Sequence, residues 1–445
     1  MWGCPVAHVA STLVATVFTV NPRIERLQRA GAANPDVVSL AGGLPSEKQF
    51  PRRRLAAAFT RALGERQASA LQYGWPEGRD RLRAWIAERM CRRGAQVSAD
   101  DVIVTSGAQQ ALALAARLQL RRGERLGLDA ESYPAAIDLF RTRGAVPVVG
   151  GERVAARYVM PEVANPHGRG LDARERRALL EAGVPLVEDD AYAELRFDGP
   201  PGRPLCADAR AQVWYVGSFS KVLAPGLRVG WLVPPPKQLK RALRQKRDLD
   251  LQANSLAQAV LEDFLLREDF DAWTERLRRF YRRRAERLAA ALAKHLPAWR
   301  FERPRGGFSL WVETGEDLDD TQFLATAIRH GVSFDPGRLF RPAGGTRPLA
   351  LRLCFSAEPG ARLDAGVARL ARAWDAFRRE ADRLSAHASG RARVGSRRVS
   401  SGVRALRAGR RAGSAAVDAL VAPVGRKAAH PRRRARVQAR PRGVR

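Results

Sequence analysis

Short apolar strands that end in polar residues recur along the first half of this chain, and they limit its fold more than any other feature. Asp101 to Thr105 precedes the small-residue turn Ser106-Gly107-Ala108-Gln109, and Val184 to Val187 precedes Glu188-Asp189-Asp190. An Ala- and Leu-rich helix pattern follows the first turn. Alternating strand and helix signals predict an α/β fold with a mostly parallel sheet between helices. Ligands bind at the carboxyl ends of the strands in such sheets.

A third polar segment also follows an apolar strand, and it places one lysine among small hydroxylated residues. It runs Val216-Gly217-Ser218-Phe219-Ser220-Lys221 and is followed by Ala224 to Gly230, which contains Arg228. A lysine amine becomes a nucleophile when desolvation and neighbouring cations lower its pKa. Ser218 and Arg228 supply donors that suit a phosphate. Lys221 is therefore a candidate Schiff-base lysine, and the alternative is a surface lysine on a strand-to-helix turn.

Two further segments favour anion binding. The turn from Ser106 to Gln109 lets backbone N–H groups approach an anion, and the helix N-terminus after it adds favourable partial charge. Leu349 to Ser356 alternates apolar residues around Arg352, so the guanidinium is expected to face a cavity. A guanidinium fork matches an amino acid's carboxylate. A plain turn and a solvated arginine are the alternatives for these two segments.

In this order the motifs resemble the class I/II aminotransferase family, whose members are fold type I enzymes that use pyridoxal 5'-phosphate (PLP). The forms Ala41-Gly42-Gly43-Leu44-Pro45 and Glu188-Asp189-Asp190-Ala191-Tyr192 are most similar to 2-aminoadipate and kynurenine aminotransferases and to the aminotransferase domain of MocR-type regulators. The resemblance runs from about Ser39 to about Trp374. It implies an α/β fold type I PLP-dependent transferase, with a large domain on a mostly parallel, seven-stranded-type sheet and a smaller α+β domain.

The same resemblance implies a role for each candidate residue. Lys221 would carry the cofactor as a Schiff base and move the substrate's α-proton, Asp189 would face the pyridine nitrogen, and Asn165 and Tyr192 would face the ring oxygen. The implied cofactor-binding residues are Ser106, Gly107, Ala108, Gln109, Tyr133, Asn165, Asp189, Tyr192, Ser218, Lys221, Arg228 and, from a neighbouring subunit, Tyr73. The implied substrate-binding residues are Gly43, Asn165 and Arg352. Taken singly, the acidic pair could bind a metal or cap a helix, Asn165 could lie in a plain turn, and Tyr133 could be a core residue.

The implied reaction is a ping-pong transamination from an L-amino acid to a 2-oxo acid, with 2-oxoglutarate as the expected acceptor. The active site would be shared within a homodimer, and no metal is expected. One alternative is a lyase or decarboxylase on the same fold. Another is a catalytically weakened MocR-like ligand-sensing module. A regulator of that type is expected to have a winged-helix domain before Ser39, and the residues there are too few for one.

The expected organisation has four parts: an N-terminal extension and arm over 1–42, a large PLP-binding domain over 43–279, a small domain over 280–384, and a basic tail over 385–445. The last 61 residues hold 17 Lys and Arg against one Asp, out of a net charge of +32 for the chain. Their composition predicts disorder, and a solvated tail is favoured over nonspecific contact with nucleic acid. Compared with the family, the segments 145–164 and 179–184 are short, so peripheral helices are expected to be missing.

The remaining composition indicates a cytoplasmic protein without a membrane anchor. The four cysteines show neither a CxxC pair nor zinc spacing, which favours a reducing compartment. Pro5 to Val20 is apolar but short for a membrane span, and no basic region precedes it as in a signal peptide.

Overall fold

The computed structural model describes residues 21–64, 69–150, 153–342 and 348–395, with only the backbone of 386–395. The apolar segment before Asn21 and the basic tail beyond residue 395 therefore lie outside the described residues.

A seven-stranded sheet forms the centre of the larger part of the molecule. Its strands, in chain order, are β2 (Ile103–Thr105), β3 (Arg125–Leu128), β4 (Val146–Val149), β5 (Ala156–Val159), β6 (Leu186–Asp189), β7 (Val213–Ser218) and β8 (Gly230–Val233). Their order in the sheet is β2-β8-β7-β6-β5-β3-β4, and β8 alone runs antiparallel to its neighbours. The central strands are buried on both faces, as the apolar runs before the polar strand ends predict.

Seven helices in the described part of the chain precede, connect or follow the strands of this sheet. They are α2 (Arg52–Leu63), α3 (Asp80–Arg92), α4 (Ala108–Gln119), α5 (Pro134–Thr142), α6 (Ala173–Glu181), α7 (Leu239–Asp250) and α8 (Ser255–Arg267). The Ala- and Leu-rich α4 lies against β6, β7 and β8 with most of its length buried. None of the helices described is both long and apolar enough to span a membrane.

A five-stranded sheet combines the N-terminal arm with the C-terminal third of the chain. Its order is β1-β11-β12-β10-β9, formed by β1 (Val38–Leu40), β9 (Arg300–Phe301), β10 (Ser309–Glu313), β11 (Val332–Pro336) and β12 (Ala350–Cys354). The arm helix α1 (Pro22–Ala33) and α10 (Asp320–Arg329) accompany it. Because β1 pairs in parallel with β11, the arm is an integral part of this sheet.

Two long helices flank this second sheet. The helix α9 covers Phe270–His295, and Asp269 caps it by accepting a hydrogen bond from the backbone N–H of Ala272. The helix α11 covers Gly360–Gly395. It continues past residue 384, where the tail was expected to begin, because the residues there are rich in the good helix formers Ala and Arg.

The connection from β4 to β5 is unusually short. Parallel crossovers normally take a dozen or more residues and contain a helix. Here residues 150–155 connect two parallel strands that lie on opposite sides of β3, and no helix is found among those of them that the structure describes. The structure thus agrees with the expected loss of a peripheral helix, and it leaves Val146 and Val149 on the edge strand 47% and 46% exposed.

Candidate active site

A cavity of about 200 Å³ lies at the carboxyl ends of the large-sheet strands, with the second sheet as its far wall. Residues from nearly every motif that the sequence indicated line this cavity. They are Gly43, Ala108, Gln109, Tyr133, Asn165, Asp189, Tyr192, Ser218, Lys221, Arg228 and Arg352. The parallel strand ends bring these side chains together although they are spread over 310 positions of the chain.

Lys221 follows β7 and lies on the cavity wall. Its Nζ donates to the carbonyl oxygen of Gly43 at 3.4 Å and lies 5.2 Å from the ring centre of Tyr192. Burial and, after it, the positive charge of Arg352 lower the pKa of this amine to about 8. A substantial fraction of Lys221 is therefore neutral near physiological pH, as a nucleophile or a base requires.

Asp189 ends β6 and is 3% exposed. Tyr158 on β5 donates to its Oδ2 at 2.8 Å, and the backbone N–H of Ala191 donates to its Oδ1 at 3.2 Å. Burial raises the pKa of Asp189 to about 6, although both hydrogen bonds act against the rise. A buried carboxylate with only neutral donors can bind a cationic ring nitrogen strongly.

Asp190 points away from the cavity into a buried polar cluster behind Asp189. Arg93 Nη1 lies 2.7 Å from its Oδ2, and the hydroxyl of Tyr215 donates to the same oxygen at 2.8 Å. Three buried atoms, Arg93 Nη2, Asp190 Oδ1 and Trp231 Nε1, have no hydrogen-bond partner here and border a cavity of about 30 Å³. This volume is enough for one water molecule with two donors and one acceptor around it.

The first turn of α4 and the turn after β7 together form an anion site. Gly107 precedes α4 with φ of +80°, and a Cβ there would lie 2.5 Å from Arg228 Nη2. Arg228 itself is held at φ of +53°, a conformation that non-glycine residues rarely adopt. The guanidinium is thereby positioned over the helix N-terminus, and Ser218 lies on the same wall. This arrangement of backbone N–H groups, hydroxyl and guanidinium suits a phosphate.

Arg352 lies on β12 in the opposite wall and is 8% exposed. Its Nη1 donates to Asn165 Oδ1 at 3.0 Å, and its Nε and Nη2 both donate to Asp335 Oδ2, at 3.0 and 2.6 Å. The carboxylate of Asp335 keeps the guanidinium charged against the cost of burial, so the pKa of Arg352 is raised. Arg352 is thus a buried, oriented cation.

The donor set fits PLP. An anion site, a lysine with a lowered pKa and a buried carboxylate occur in one cavity. Glycine at position 107 leaves the space that the Arg228 side chain occupies, and a larger residue would fill it. Among the described residues, no group of three or more metal-ligating side chains is found.

Comparisons with known proteins agree with this chemistry. No family model matches the chain. The 2-aminoadipate transaminase of Thermus thermophilus is 37% identical over 365 residues, which are 76% of this chain and 90% of that protein. The chain belongs to the fold type I PLP-dependent aminotransferases.

One solved aminotransferase structure and one regulatory protein are also similar to this chain. The crystal structure of LysN, the alpha-aminoadipate aminotransferase of Thermus thermophilus complexed with N-(5'-phosphopyridoxyl)-L-leucine, superposes with a TM-score of 0.72 at 34% identity and covers 80% of this chain and 97% of that one. The probable rhizopine catabolism regulatory protein MocR of Rhizobium meliloti is 30% identical over 68% of this chain and 65% of its own length. The resemblance inferred from the motifs, the fold class and the cofactor are therefore confirmed.

Three predicted site residues of this aminotransferase do not line the cavity. Ser106 points its hydroxyl towards Asp250, 3.4 Å away, and Gly107 contributes its backbone shape beneath Arg228. Tyr73 is 78% exposed on the surface, so its predicted role depends on a second subunit.

Sequence reasoning missed four side chains that support the site. Tyr158 and Arg93 contact the two carboxylates at the end of β6, and Asp335 and Gln28 lie around Arg352. No motif indicated them. A signal existed only for Tyr158, which lies in an apolar strand and needs a buried hydrogen-bond partner for its hydroxyl.

Proposed function

We propose that this aminotransferase transfers the amino group of an L-amino acid to a 2-oxo acid, with 2-oxoglutarate as the acceptor, in the two half-reactions of a ping-pong cycle. The observation that carries the proposal is the placement of Lys221 Nζ, whose pKa is lowered to about 8, in one cavity with Asp189 and Arg352. A proton acceptor, a ring-nitrogen partner and a carboxylate fork are the three groups that this chemistry requires.

PLP, when bound, supplies an aldehyde that takes up the amino group and a ring that accepts electrons. Asp189 would hold the proton on the ring nitrogen, and Asn165 and Tyr192 would donate to the ring oxygen. Arg228, Ser218 and the backbone N–H groups at the start of α4 would bind the phosphate.

The substrate is bound and deprotonated by the opposite wall and by the lysine. Arg352 and Asn165 hold the α-carboxylate, with Gly43 against the substrate. In the first half-reaction the neutral Nζ of Lys221 would take the proton from the substrate's α-carbon and deliver it to the carbon of the cofactor's former aldehyde group. In the second half-reaction it would move a proton between the same two positions in the opposite direction. Its lowered pKa supports this role, because an ordinary lysine would be almost fully protonated at neutral pH.

We further propose an amino acid with an apolar side chain as the donor. The part of the cavity wall near Arg352 includes Leu44, Leu339 and Phe340. Apart from Arg228 and Arg352, the described lining contains no arginine that could bind a second carboxylate. LysN, which binds a leucine adduct of the cofactor, is consistent with such a donor.

A homodimer is the proposed assembly. Large apolar side chains are exposed around two adjacent loops, which we call the apolar rim: Leu71, Tyr73, Trp75, Leu249 and Leu251. The two loops touch, since the backbone N–H of Gly74 donates to the side chain of Gln252. Asp250 in turn accepts from Gln110 Nε2 at 2.7 Å at the start of α4. A partner packed on the rim would therefore lie beside the phosphate site, as the proposed contact of Tyr73 with a neighbouring cofactor requires.

We propose a cytoplasmic location, the four-part division given above, and a tail that makes at most nonspecific contact with nucleic acid. The described cysteines Cys91, Cys206 and Cys354 are free, which supports a reducing compartment.

The absorbance spectrum of the purified protein with PLP tests the function. We expect a visible band from the cofactor held by Lys221, its loss in Lys221→Ala, and its retention in the control Lys240→Ala on the surface. Addition of an amino acid should bleach the band, and 2-oxoglutarate should restore it. Absence of the band in the wild type would refute the cofactor assignment, and a band unmoved by any amino acid would refute transamination. Decarboxylation without glutamate formation would favour the lyase.

A further inference from the structure

Asp335 occupies one edge of the arginine that is proposed to bind substrate. A guanidinium presents donors along its Nε/Nη2 edge and at its Nη1/Nη2 end, and either face can bind a carboxylate with two hydrogen bonds. In Arg352 the Nε/Nη2 edge is filled by Asp335 Oδ2, at 3.0 and 2.6 Å. The Nη1/Nη2 end keeps free donors beside the one given to Asn165.

The contact is built into the sheet. Asp335 on β11 is the cross-strand partner of Arg352 on β12. Asp335 is 4% exposed, its Oδ1 accepts from Gln28 Nε2 at 2.8 Å, and its Oδ2 accepts from the backbone N–H of Gly42 at 3.0 Å. The thiol of Cys354 also donates to Oδ2 at 3.9 Å, so the carboxylate is held by Arg352, by the N-terminal arm and by its neighbour on β12.

The open end of Arg352 faces the cavity that Lys221 also lines, because its Nη1 contacts Asn165, another residue of the lining. Gly43 covers the flat face of the guanidinium, since a Cβ there would lie 3.4, 3.5 and 3.6 Å from Nη1, Nη2 and Cζ, and its carbonyl oxygen accepts from Lys221 Nζ at 3.4 Å. A carboxylate bound at the Nη1/Nη2 end therefore carries its α-carbon near the lysine. A carboxylate bound at the Nε/Nη2 edge would carry its α-carbon towards Gln28 instead.

We propose that Asp335 determines how this aminotransferase binds the carboxylate of its substrate. It blocks the edge of Arg352 that would bind a carboxylate unproductively, and its negative charge repels a second carboxylate from the arm side of the cavity. This proposal rests on the proposed function. The substrate carboxylate is therefore bound more weakly but in the correct orientation, because Asp335 partly compensates the charge of Arg352 before the substrate binds.

Replacing Asp335 by Asn tests the proposal, since asparagine keeps the size of the side chain, removes its charge and leaves a weaker acceptor that a substrate carboxylate can displace from the Nε/Nη2 edge. Unproductive binding lowers kcat and KM by the same factor. For the amino-acid half-reaction of Asp335→Asn we expect both to fall about tenfold, with kcat/KM changed by less than about threefold. A simple carboxylate such as propionate should inhibit this variant about tenfold more strongly than the wild type.

Asp320→Asn is the matched control. Asp320 is a buried aspartate of the same region, it pairs with Arg338, and it does not line the cavity. It should lose stability without a joint fall of kcat and KM. Asp335→Glu keeps the charge and should retain the wild-type KM. It provides a second measurement if the asparagine variant fails to fold.

The proposal is overturned if Asp335→Asn lowers kcat/KM with KM unchanged or raised, or if Asp320→Asn gives the same joint fall. Wild-type protein that takes up PLP but transfers no amino group would refute the proposed function. Wild-type activity without the joint fall in Asp335→Asn would refute the role of Asp335 alone.

Discussion

Removal of Arg93 should slow transamination although this residue does not line the active-site cavity. Arg93 compensates the charge of Asp190, and both side chains are buried. In Arg93→Met the carboxylate of Asp190 loses its cationic partner next to Asp189, whose pKa is raised to about 6 chiefly by burial and in smaller part by Asp190. The pKa of Asp189 should then rise by about one more unit, taking a neighbouring like charge to act about as strongly as a weak opposite one.

With Asp189 facing the ring nitrogen as proposed, a rise of one unit would favour the proton on Asp189 over the proton on that nitrogen by about 1.4 kcal/mol, or about tenfold. The rate of the amino-acid half-reaction, measured by stopped-flow absorbance, should fall by that factor. The difference in rate between the wild type and Arg93→Met should widen from pH 6 to pH 9. At low pH the unpaired Asp190 is protonated and neutral, and it becomes charged as the pH rises.

The double variant Arg93→Met/Asp190→Asn removes both charges and separates electrostatics from packing. It should recover most of the rate and show the wild-type pH dependence, since a buried ion pair can be replaced by neutral groups at little cost. A loss in Arg93→Met that is equal at every pH, or that the double variant fails to repair, would show that Arg93 only supports the fold.

Three further outcomes are expected. Capture of PLP by the cofactor-free protein should accelerate with pH and level off above about pH 8, since only the neutral amine of Lys221 attacks; stopped-flow absorbance at fixed PLP measures it, and a profile that keeps rising to pH 10 would contradict the lowered pKa. Gly107→Ala should weaken PLP binding at least about tenfold in equilibrium titration, because the new Cβ meets Arg228 and the φ of +80° is strained; an unchanged Kd would contradict the anion site. Leu251→Glu should shift the protein to monomers in analytical ultracentrifugation and reduce activity, whereas Leu384→Glu, on an exposed helix away from the apolar rim, should do neither.

The sequence predicted the fold and about half of the residues that line the cavity, because strand ends are visible as local patterns and the order of the motifs resembles a known family. Apolar strands followed by polar residues indicate strand ends, and Asp189 ends β6 while Lys221 follows β7. Arg352 lies within β12, where the alternation of apolar residues around it indicated a strand. Asp335 could not be found in this way. Its significance comes from the pairing of β11 with β12, a register that no local pattern specifies.

Arg93 escaped prediction for a different reason. The chain contains 78 Lys and Arg, so a single arginine after a helix carries no signal until a buried carboxylate is found beside it. Likewise the outward direction of Ser106 follows from Asp250, which is 144 residues away in the chain. Long-range partners, more than local propensity, decide which polar residues of a motif reach the cavity.

The shortened connection from β4 to β5 leaves the site intact because Asn165 is positioned from the other side. The strand β5, which leads to Asn165, is paired with β6 over Arg157 to Val159 as well as with β3. Asn165 Oδ1 still lies 3.0 Å from Arg352 Nη1 on the opposite sheet. The described residues of this connection form no helix at the β4 edge, which lies outside the central strands that lead to Asp189 and Lys221, so the cost falls on the exposed Val146 and Val149. An unprotected apolar edge strand favours association between chains. The compressed segment therefore bears on solubility, whereas the chemistry is determined by contacts across the cavity.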